Sequence, residues 1–213
     1  MIAISEKKHL TSKGNEVVVK WLGRVAYEES LTAMRDFANT RTDSEVDELW
    51  LLEHPRIYTQ GTACDLETFI PSDIPVIKTD RGGQITYHGP GQIVMYPLLK
   101  LKIHDLGVKS LVQHLEQAAI DVLAARGINS SRKDGAPGVY VNQAKLAALG
   151  LRIRRGTSYH GLSFNVGMDL TPFNNIDPCG YQGLEVTQLR DLGVNSSVQQ
   201  IGKELSDTFL GLI

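Results

Sequence analysis

Apolar residues recur every three or four positions in three stretches of the chain, a period that predicts amphipathic helices. The first stripe follows Gly23 and consists of Tyr27, Leu31, Met34 and Ala38. The second runs from Val108 to Arg126, ahead of a stop signal at Gly127, and consists of Leu111, Leu115, Ala118, Ala119 and Val122. The third consists of Ile201, Leu205, Phe209 and Leu212. A capping-box pattern, Ser196-Ser197-Val198-Gln199, precedes this last helix.

Short apolar or alternating runs between these stripes predict β-strands. The predicted strands are Val17 to Trp21, Leu49 to Leu52, Val76 to Lys78, Gln84 to Tyr87, Ile93 to Leu98, Val139 to Val141, Leu146 to Ile153 and Ser158 to Val166. Helices and strands mix along the whole chain, and we expect the second helix to cover the sheet. The pattern therefore predicts an α/β (α+β) fold, a mixed β-sheet sandwich flanked by helices.

The chain contains no internal repeat, low-complexity tract or linker that would divide it. Its 213 residues, 42% of them hydrophobic, can bury a substantial core. We expect a loosely ordered N-terminal segment over residues 1–15 and a single domain over residues 16–213.

Charge and composition argue against several classes of partner. The 22 Lys and Arg residues nearly balance 24 Asp and Glu, so no global field favours nucleic acid or a membrane surface. No stretch approaches the ~18 apolar residues of a spanning helix, and the polar start lacks the apolar run of a signal peptide. Two cysteines without a CxxC spacing predict neither a disulfide framework nor a metal site. We expect a cytoplasmic monomer.

The segment from Arg81 to Gln92 concentrates four glycines around Arg, Gln, Thr, Tyr and His side chains. Glycine lets the backbone come close to a ligand, and the polar side chains supply donors and acceptors. Taken alone, such a segment also fits a tight hairpin. No dinucleotide or P-loop motif accompanies it, so we expect no nucleotide cofactor, and no cofactor of another kind.

Two later parts of the sequence favour the ligand-binding interpretation. The first contains Gly138 to Val141, Lys145 to Gly150 and Tyr159 to Val166, and the second is Ile176 to Tyr181. With these blocks in this order, the chain resembles the lipoyl (octanoyl) transferase family from about Glu53 to about Leu189. It departs from the family where Arg56 replaces a frequent proline and where Ile85 and Met95 are apolar replacements.

This resemblance implies a fold, a reaction and partners. The fold is that of the biotin and lipoate ligase catalytic domains. The reaction moves an octanoyl group from octanoyl-acyl carrier protein, through an acyl-cysteine thioester, to a lysine amine of lipoyl domains. Those acceptors belong to 2-oxoacid dehydrogenases and to the glycine cleavage H protein.

The resemblance also implies the site residues. Cys179 carries the acyl group and Lys145 assists it, although on their own the two residues fit a small buried hydrophobe and a solvated strand end. Cys64 lies outside the matching blocks and receives no role. We place His88 and His160 in binding rather than in proton transfer. The expected substrate-binding residues are Arg81, Gly82, Gly83, Gln84, Ile85, Thr86, Tyr87, His88, Ala148, Leu149, Gly150, Gly161, Leu162 and Ser163.

Other functions remain open at this point. An ATP-dependent lipoate or biotin protein ligase would share the fold but would need a basic phosphate-binding loop and no reactive cysteine. An octanoyl amidotransferase between lipoyl domains would use the same cysteine chemistry, and a binding module would use none. A papain-like protease fits poorly, because Cys179 follows both candidate histidines. The basic group Arg152, Arg154 and Arg155 is equally consistent with a docking cluster for an acidic carrier and with a solvated strand end.

Overall fold

The computed structural model describes residues 3–42, 44–64, 73–176 and 184–213. Its larger sheet has seven strands in the order β1-β2-β3-β7-β10-β9-β8. These strands are β1 Ser5–Leu10, β2 Glu16–Arg24, β3 Asp47–Glu53, β7 Gln92–Leu98, β8 Gly138–Val141, β9 Ala144–Arg154 and β10 Thr157–Asn165. The sheet is mixed, because β2 and β3 are parallel while the other neighbours are antiparallel.

A smaller sheet has three strands in the order β5-β4-β6. They are β4 Ile57–Gln60, β5 Val76–Lys78 and β6 Ile85–His88. The described helices are α1 Tyr27–Thr40, α2 Val108–Ala124 and α3 Val198–Leu212, with short 3-10 turns at Thr171–Asn175 and Leu189–Leu192. The described part of the chain contains no helix long and apolar enough to cross a membrane.

The two faces of the larger sheet are covered differently. Helices α2 and α3 pack on one face, where they bury the main hydrophobic cluster. Helix α1 packs on the other face, against Trp50, Leu52 and Val94. Helix α1 also contacts the smaller sheet, since Tyr27 and Leu31 form a cluster with Ile57. The larger sheet therefore lies between a helical layer and a layer made of α1 and the smaller sheet.

The predicted fold class is confirmed, and the helical stripes bury as expected. All four members of the first stripe and all five of the second are buried. Gly127 has a φ of +72°, the left-handed conformation that ends many helices. In the third helix Ile201, Leu205 and Phe209 are buried, Leu212 is partly buried against the same cluster, and Leu210 is buried in addition.

Two features near the termini were not among the predicted elements. Residues Ser5–Leu10, inside the segment expected to be loosely ordered, form strand β1 along β2. Their side chains are mostly exposed, so no apolar alternation marks this strand in the sequence. The α3 cap is Ser197 rather than Ser196, because the Ser197 hydroxyl accepts a hydrogen bond from the Gln200 amide. The predicted boundary between the N-terminal segment (residues 1–15) and the domain (residues 16–213) stays a prediction.

Candidate active site

A cleft opens between β6 of the smaller sheet and the α1 side of β7, β9 and β10. Its empty volume, including the open solvent at its mouth, is about 700 Å³. Apolar side chains such as Val94, Phe173 and Val186 contribute much of the wall. The enclosure therefore suits a flexible apolar group better than a strongly charged one.

The structure brings most of the predicted site residues together around this cleft. Those that line it are Arg81, Gly83, Gln84, Ile85, Thr86, His88, Lys145, Ala148, Leu149, Gly150, Gly161, Leu162 and Ser163. Gly82 and Tyr87 do not line it. The Gly82 N–H donates to the Leu151 carbonyl at 3.0 Å, and the Tyr87 ring packs against Tyr58 and Phe173. These two residues thus tie the glycine-rich loop to its surroundings.

Several lining residues were not identified from the sequence. The sequence places Tyr27 in a helical stripe, and it places Gln92, Val94 and Tyr96 in a strand or beside it. Asn165 falls near the end of a later predicted strand. All five line the cleft. The period of two that joins Gln92, Val94 and Tyr96 places all three on one face of β7. That alternation is the signal that could have found them.

Lys145 faces the cleft because strand β9 contains a bulge. Val139 of β8 lies opposite Ala147, but the next residue, Tyr140, lies opposite Lys145, so Leu146 is an extra residue. Leu146 and Ala147 consequently both enter the cluster under α2. Regular alternation back from Ala148 would have pointed Lys145 at that cluster instead.

The side chain of Lys145 is enclosed, with 3% of the residue exposed. Its ammonium lies 5.4 Å from the centroid of the Tyr140 ring, a cation–π distance. Its backbone N–H donates to the Glu185 carbonyl at 2.8 Å, and its carbonyl accepts from the Thr187 N–H at 2.9 Å. The segment around Val186, which lines the cleft, is therefore paired directly with the lysine.

Cys179 lies outside the described residues. The described residues on either side of that stretch reach the cleft, because Phe173 and Val186 both line it. Ile176 packs in a cluster with Tyr87 and Phe173, and Cys64 is partly buried against the same cluster.

His160 is turned towards the cleft by an unusual backbone conformation. Its φ of +57° is in the left-handed region, which non-glycine residues seldom adopt. As a result Tyr159 and His160, although consecutive in a strand, lie on the same side with their ring centroids 5.0 Å apart. A β-carbon on the following residue, Gly161, would lie 2.1 Å from the Met95 carbonyl oxygen, so only glycine fits there.

Asp80 holds both of these rings. The Tyr159 hydroxyl donates to one carboxylate oxygen at 2.7 Å, and His160 Nε2 lies 2.9 Å from the other. Burial opposes ionisation, but the hydrogen bonds from His160, Tyr159 and Arg35 hold the Asp80 pKa well below its usual range. An ionised carboxylate can only accept, so His160 donates from Nε2, and Nδ1 accepts from the Tyr27 hydroxyl at 3.3 Å.

Two histidines that line the cleft, His88 and His160, and the adjacent His54 are neutral near pH 7. Burial lowers the His54 pKa to about 4 and the His88 pKa well below its usual value. Burial also lowers the pKa of His160, and the hydrogen bond to Asp80 offsets this only in part. His54 Nδ1 lies 2.7 Å from the Val25 carbonyl, so it donates, and Nε2 accepts from the Tyr96 hydroxyl at 2.8 Å. His88 and His160 form hydrogen-bonded walls of the cleft, and His54 lies behind them, with its ring centroid 5.6 Å from that of His88.

Arg81 braces the glycine-rich loop from inside. The residue is 7% exposed, and its Nε donates to the Thr59 hydroxyl at 3.0 Å. One terminal nitrogen donates to the Thr59 carbonyl at 2.5 Å and the other to the Gly82 carbonyl at 3.0 Å. Several of its five donors are therefore occupied by the protein.

Comparison with known proteins places these features in a family. The lipoyl protein ligase A/B catalytic domain family matches residues 25–210. The octanoyltransferase of Thiobacillus denitrificans (strain ATCC 25259 / T1) is 57% identical over 90% of this chain and 88% of its own. The octanoyltransferase of Shewanella sp. (strain ANA-3) is 52% identical over 92% and 90%.

Solved structures share the fold at low identity. A putative lipoate protein ligase from T. acidophilum with bound lipoic acid has a TM-score of 0.72 over 90% of this chain and 83% of its own, at 15% identity. Biotin protein ligase from Aquifex aeolicus in complex with biotin and ATP has a TM-score of 0.55 over 90% and 69%, also at 15% identity. These likenesses confirm the expected ligase-type fold. The chain belongs to the lipoyl protein ligase A/B catalytic domain family and, within it, to the octanoyltransferases.

Proposed function

We propose that this chain is an octanoyltransferase of lipoate biosynthesis, which moves an octanoyl group from octanoyl-acyl carrier protein to a lysine amine of a lipoyl domain. It acts in the reducing cytoplasm, where a catalytic thiol persists. One observation carries the proposal: the buried Lys145 is turned by a strand bulge into an apolar cleft, in a chain 57% identical to an octanoyltransferase.

The acyl group is carried on Cys179 as a thioester. This residue is three positions after Ile176 and seven before Val186, and Val186 pairs with Lys145. Lys145 takes the thiol proton or stabilises the thiolate, and the sulfur attacks the octanoyl thioester carbonyl. The carbon–sulfur bond to the carrier breaks, and the carrier thiol leaves with the proton.

The second half of the reaction forms an amide. The acceptor lysine amine attacks the carbonyl of acyl-Cys179, Lys145 receives the amine proton, and the Cys179 sulfur leaves. Exchange between thioesters is close to thermoneutral, whereas an amide lies downhill from a thioester. The final step therefore drives the transfer without nucleotide hydrolysis.

We propose that an octanoyl chain lies along β10 in this cleft. His160 and Asn165 both line it and are five residues apart on β10, which corresponds to about 17 Å at ~3.3 Å per residue. Seven carbon–carbon bonds of ~1.5 Å extend less than about 11 Å. Six buried methylenes contribute about 5 kcal/mol at ~0.8 kcal/mol each. One methylene changes selectivity by only ~1–3 kcal/mol, so neighbouring chain lengths should be tolerated.

Intact mass spectrometry tests the proposal. The protein is mixed with octanoyl-acyl carrier protein and no nucleotide, and we expect one octanoyl adduct that hydroxylamine removes. Cys64→Ala should keep the adduct and Cys179→Ala should lose it. An adduct that persists in Cys179→Ala and disappears in Cys64→Ala would overturn the assignment.

The same assay separates the alternative functions. Transfer to a lipoyl domain from free octanoate, only when ATP is present, would identify a ligase. A preference for an octanoylated lipoyl domain over the octanoyl carrier as donor would identify an amidotransferase. Absence of any acyl-cysteine with every donor would leave a binding module.

A further inference from the structure

Helix α2 carries one buried carboxylate within its apolar stripe. Glu116 is 5% exposed and sits between Leu115 and the buried Ala118. A buried carboxylate is costly unless its oxygens are satisfied. One oxygen of Glu116 accepts from Arg132 Nε at 3.0 Å, and the other accepts from the backbone N–H of Gly138 at 2.9 Å. The carboxylate therefore fixes the first residue of β8.

The Lys145 side chain packs against the α-carbon of Gly138. Its φ of +151° favours glycine, and a β-carbon there would lie 2.4 Å from Lys145 Cε and 2.6 Å from the Ala147 carbonyl oxygen. The lysine stem thus passes directly over the bare α-carbon of Gly138. Gly138 therefore donates its N–H to the Glu116 carboxylate on one side and packs against the Lys145 side chain on the other.

We propose that Glu116 is a positioning residue for Lys145, acting through the Gly138 peptide. The carboxylate holds this peptide in the orientation that leaves space for the lysine stem and keeps the ammonium at the cleft. Glu116 itself does not line the cleft. The inference rests on the function proposed above, since it concerns the lysine that assists Cys179.

Loss of Glu116 should weaken catalysis in a recognisable way. Without its carboxylate partner the Gly138 peptide can rotate, and the Lys145 side chain then loses the contact that holds it in place. We expect kcat to fall while KM for the octanoyl carrier stays unchanged, because no contact to the donor is removed. The Cys179 thiol should also become less reactive, since a nearby ammonium favours the thiolate.

The test measures the pH dependence of Cys179 alkylation by iodoacetamide in a Cys64→Ser background. Glu116→Ala should raise the pH at which the thiol reacts by about half a unit, which lowers its rate near neutral pH about threefold. Glu116→Gln, which keeps an oxygen for the Gly138 N–H, should restore most of the rate. If Glu116→Ala does not fold, Glu116→Asp withdraws the carboxylate from the Gly138 N–H by one methylene and should give a shift in the same direction.

A matched control separates positioning from stability. Glu204→Ala removes another glutamate–arginine pair, in which Glu204 of α3 contacts Arg126, two residues beyond the end of α2. It should leave the alkylation profile unchanged. An unchanged profile and kcat in Glu116→Ala, or in Glu116→Asp if the alanine variant does not fold, beside a shifted profile in Lys145→Ala, would overturn this inference alone. An unchanged profile in Lys145→Ala would overturn the role of the lysine in the proposed function as well.

Discussion

His54 should make the protein sensitive to acid, because its imidazole is buried without charge between two fixed partners. The residue has no exposed surface, donates to the Val25 carbonyl and accepts from Tyr96. Burial lowers its pKa from 6.5 to about 4. The unfolded chain therefore binds one more proton than the folded protein between these pH values, and stability falls as the pH falls through them.

The size of this effect follows from the two pKa values. At ~1.4 kcal/mol per pH unit, the interval from 6.5 to about 4 corresponds to about 3 kcal/mol of unfolding free energy. The stability is fully present above about pH 6.5 and lost by about pH 4. Burial also lowers the pKa of His88 and of His160. The whole protein should therefore lose more unfolding free energy on acidification than His54 alone contributes.

Urea unfolding at a series of pH values isolates the His54 contribution. His54→Asn keeps a donor for the Val25 carbonyl but cannot titrate. Between pH 6.5 and 4 it should therefore lose about 3 kcal/mol less unfolding free energy than the unmodified protein. Tyr96→Phe is the control, because it removes the hydrogen-bond partner and retains the imidazole. It should lower stability at every pH and keep the steep dependence. Parallel curves for His54→Asn and the unmodified protein would show that His54 does not contribute to the acid sensitivity.

Three further outcomes can be checked. Lys145→Arg keeps a cation that cannot accept a proton, so octanoyl transfer should fall by ~10²–10⁴, and full turnover would exclude the proton-transfer role. Gly161→Ala places a β-carbon 2.1 Å from a β7 carbonyl oxygen and should cost about 3 kcal/mol in calorimetry, whereas Gly211→Ala, in open space, should not destabilise the protein. Reversing the charge of Arg152 and Arg154 should raise KM about tenfold for the acyl carrier at low salt but leave octanoyl-pantetheine unaffected. If the variant and the unmodified protein have the same KM for the carrier, these arginines belong to a solvated face.

The parts of the fold that follow a regular period were predictable. The α1 and α2 stripes bury as predicted, because a repeat of 3.6 residues fixes which side chains share a face. Strand β1 was missed because its exposed polar side chains carry no such period.

The orientation of key site residues depends on departures from a period. Lys145 reaches the cleft through the extra residue Leu146, and His160 through a left-handed φ. Neither departure has a signature that a single sequence displays, since both are decided by pairing with distant strands. Family resemblance identified Lys145 without this geometry, and Tyr27 and Tyr96 were overlooked because aromatic residues in apolar runs resemble ordinary core.

The bulge in β9 makes the number of residues matter more than their identity. Substitution of Leu146 by another aliphatic residue would keep the lysine directed at the cleft, because the register with β8 is unchanged. Deletion of that single position would rotate the amine by half a turn of the strand and drive a cation into the aliphatic layer beneath α2. In this stretch of the protein a conservative replacement preserves the register, whereas loss of one residue removes the lysine amine from the cleft.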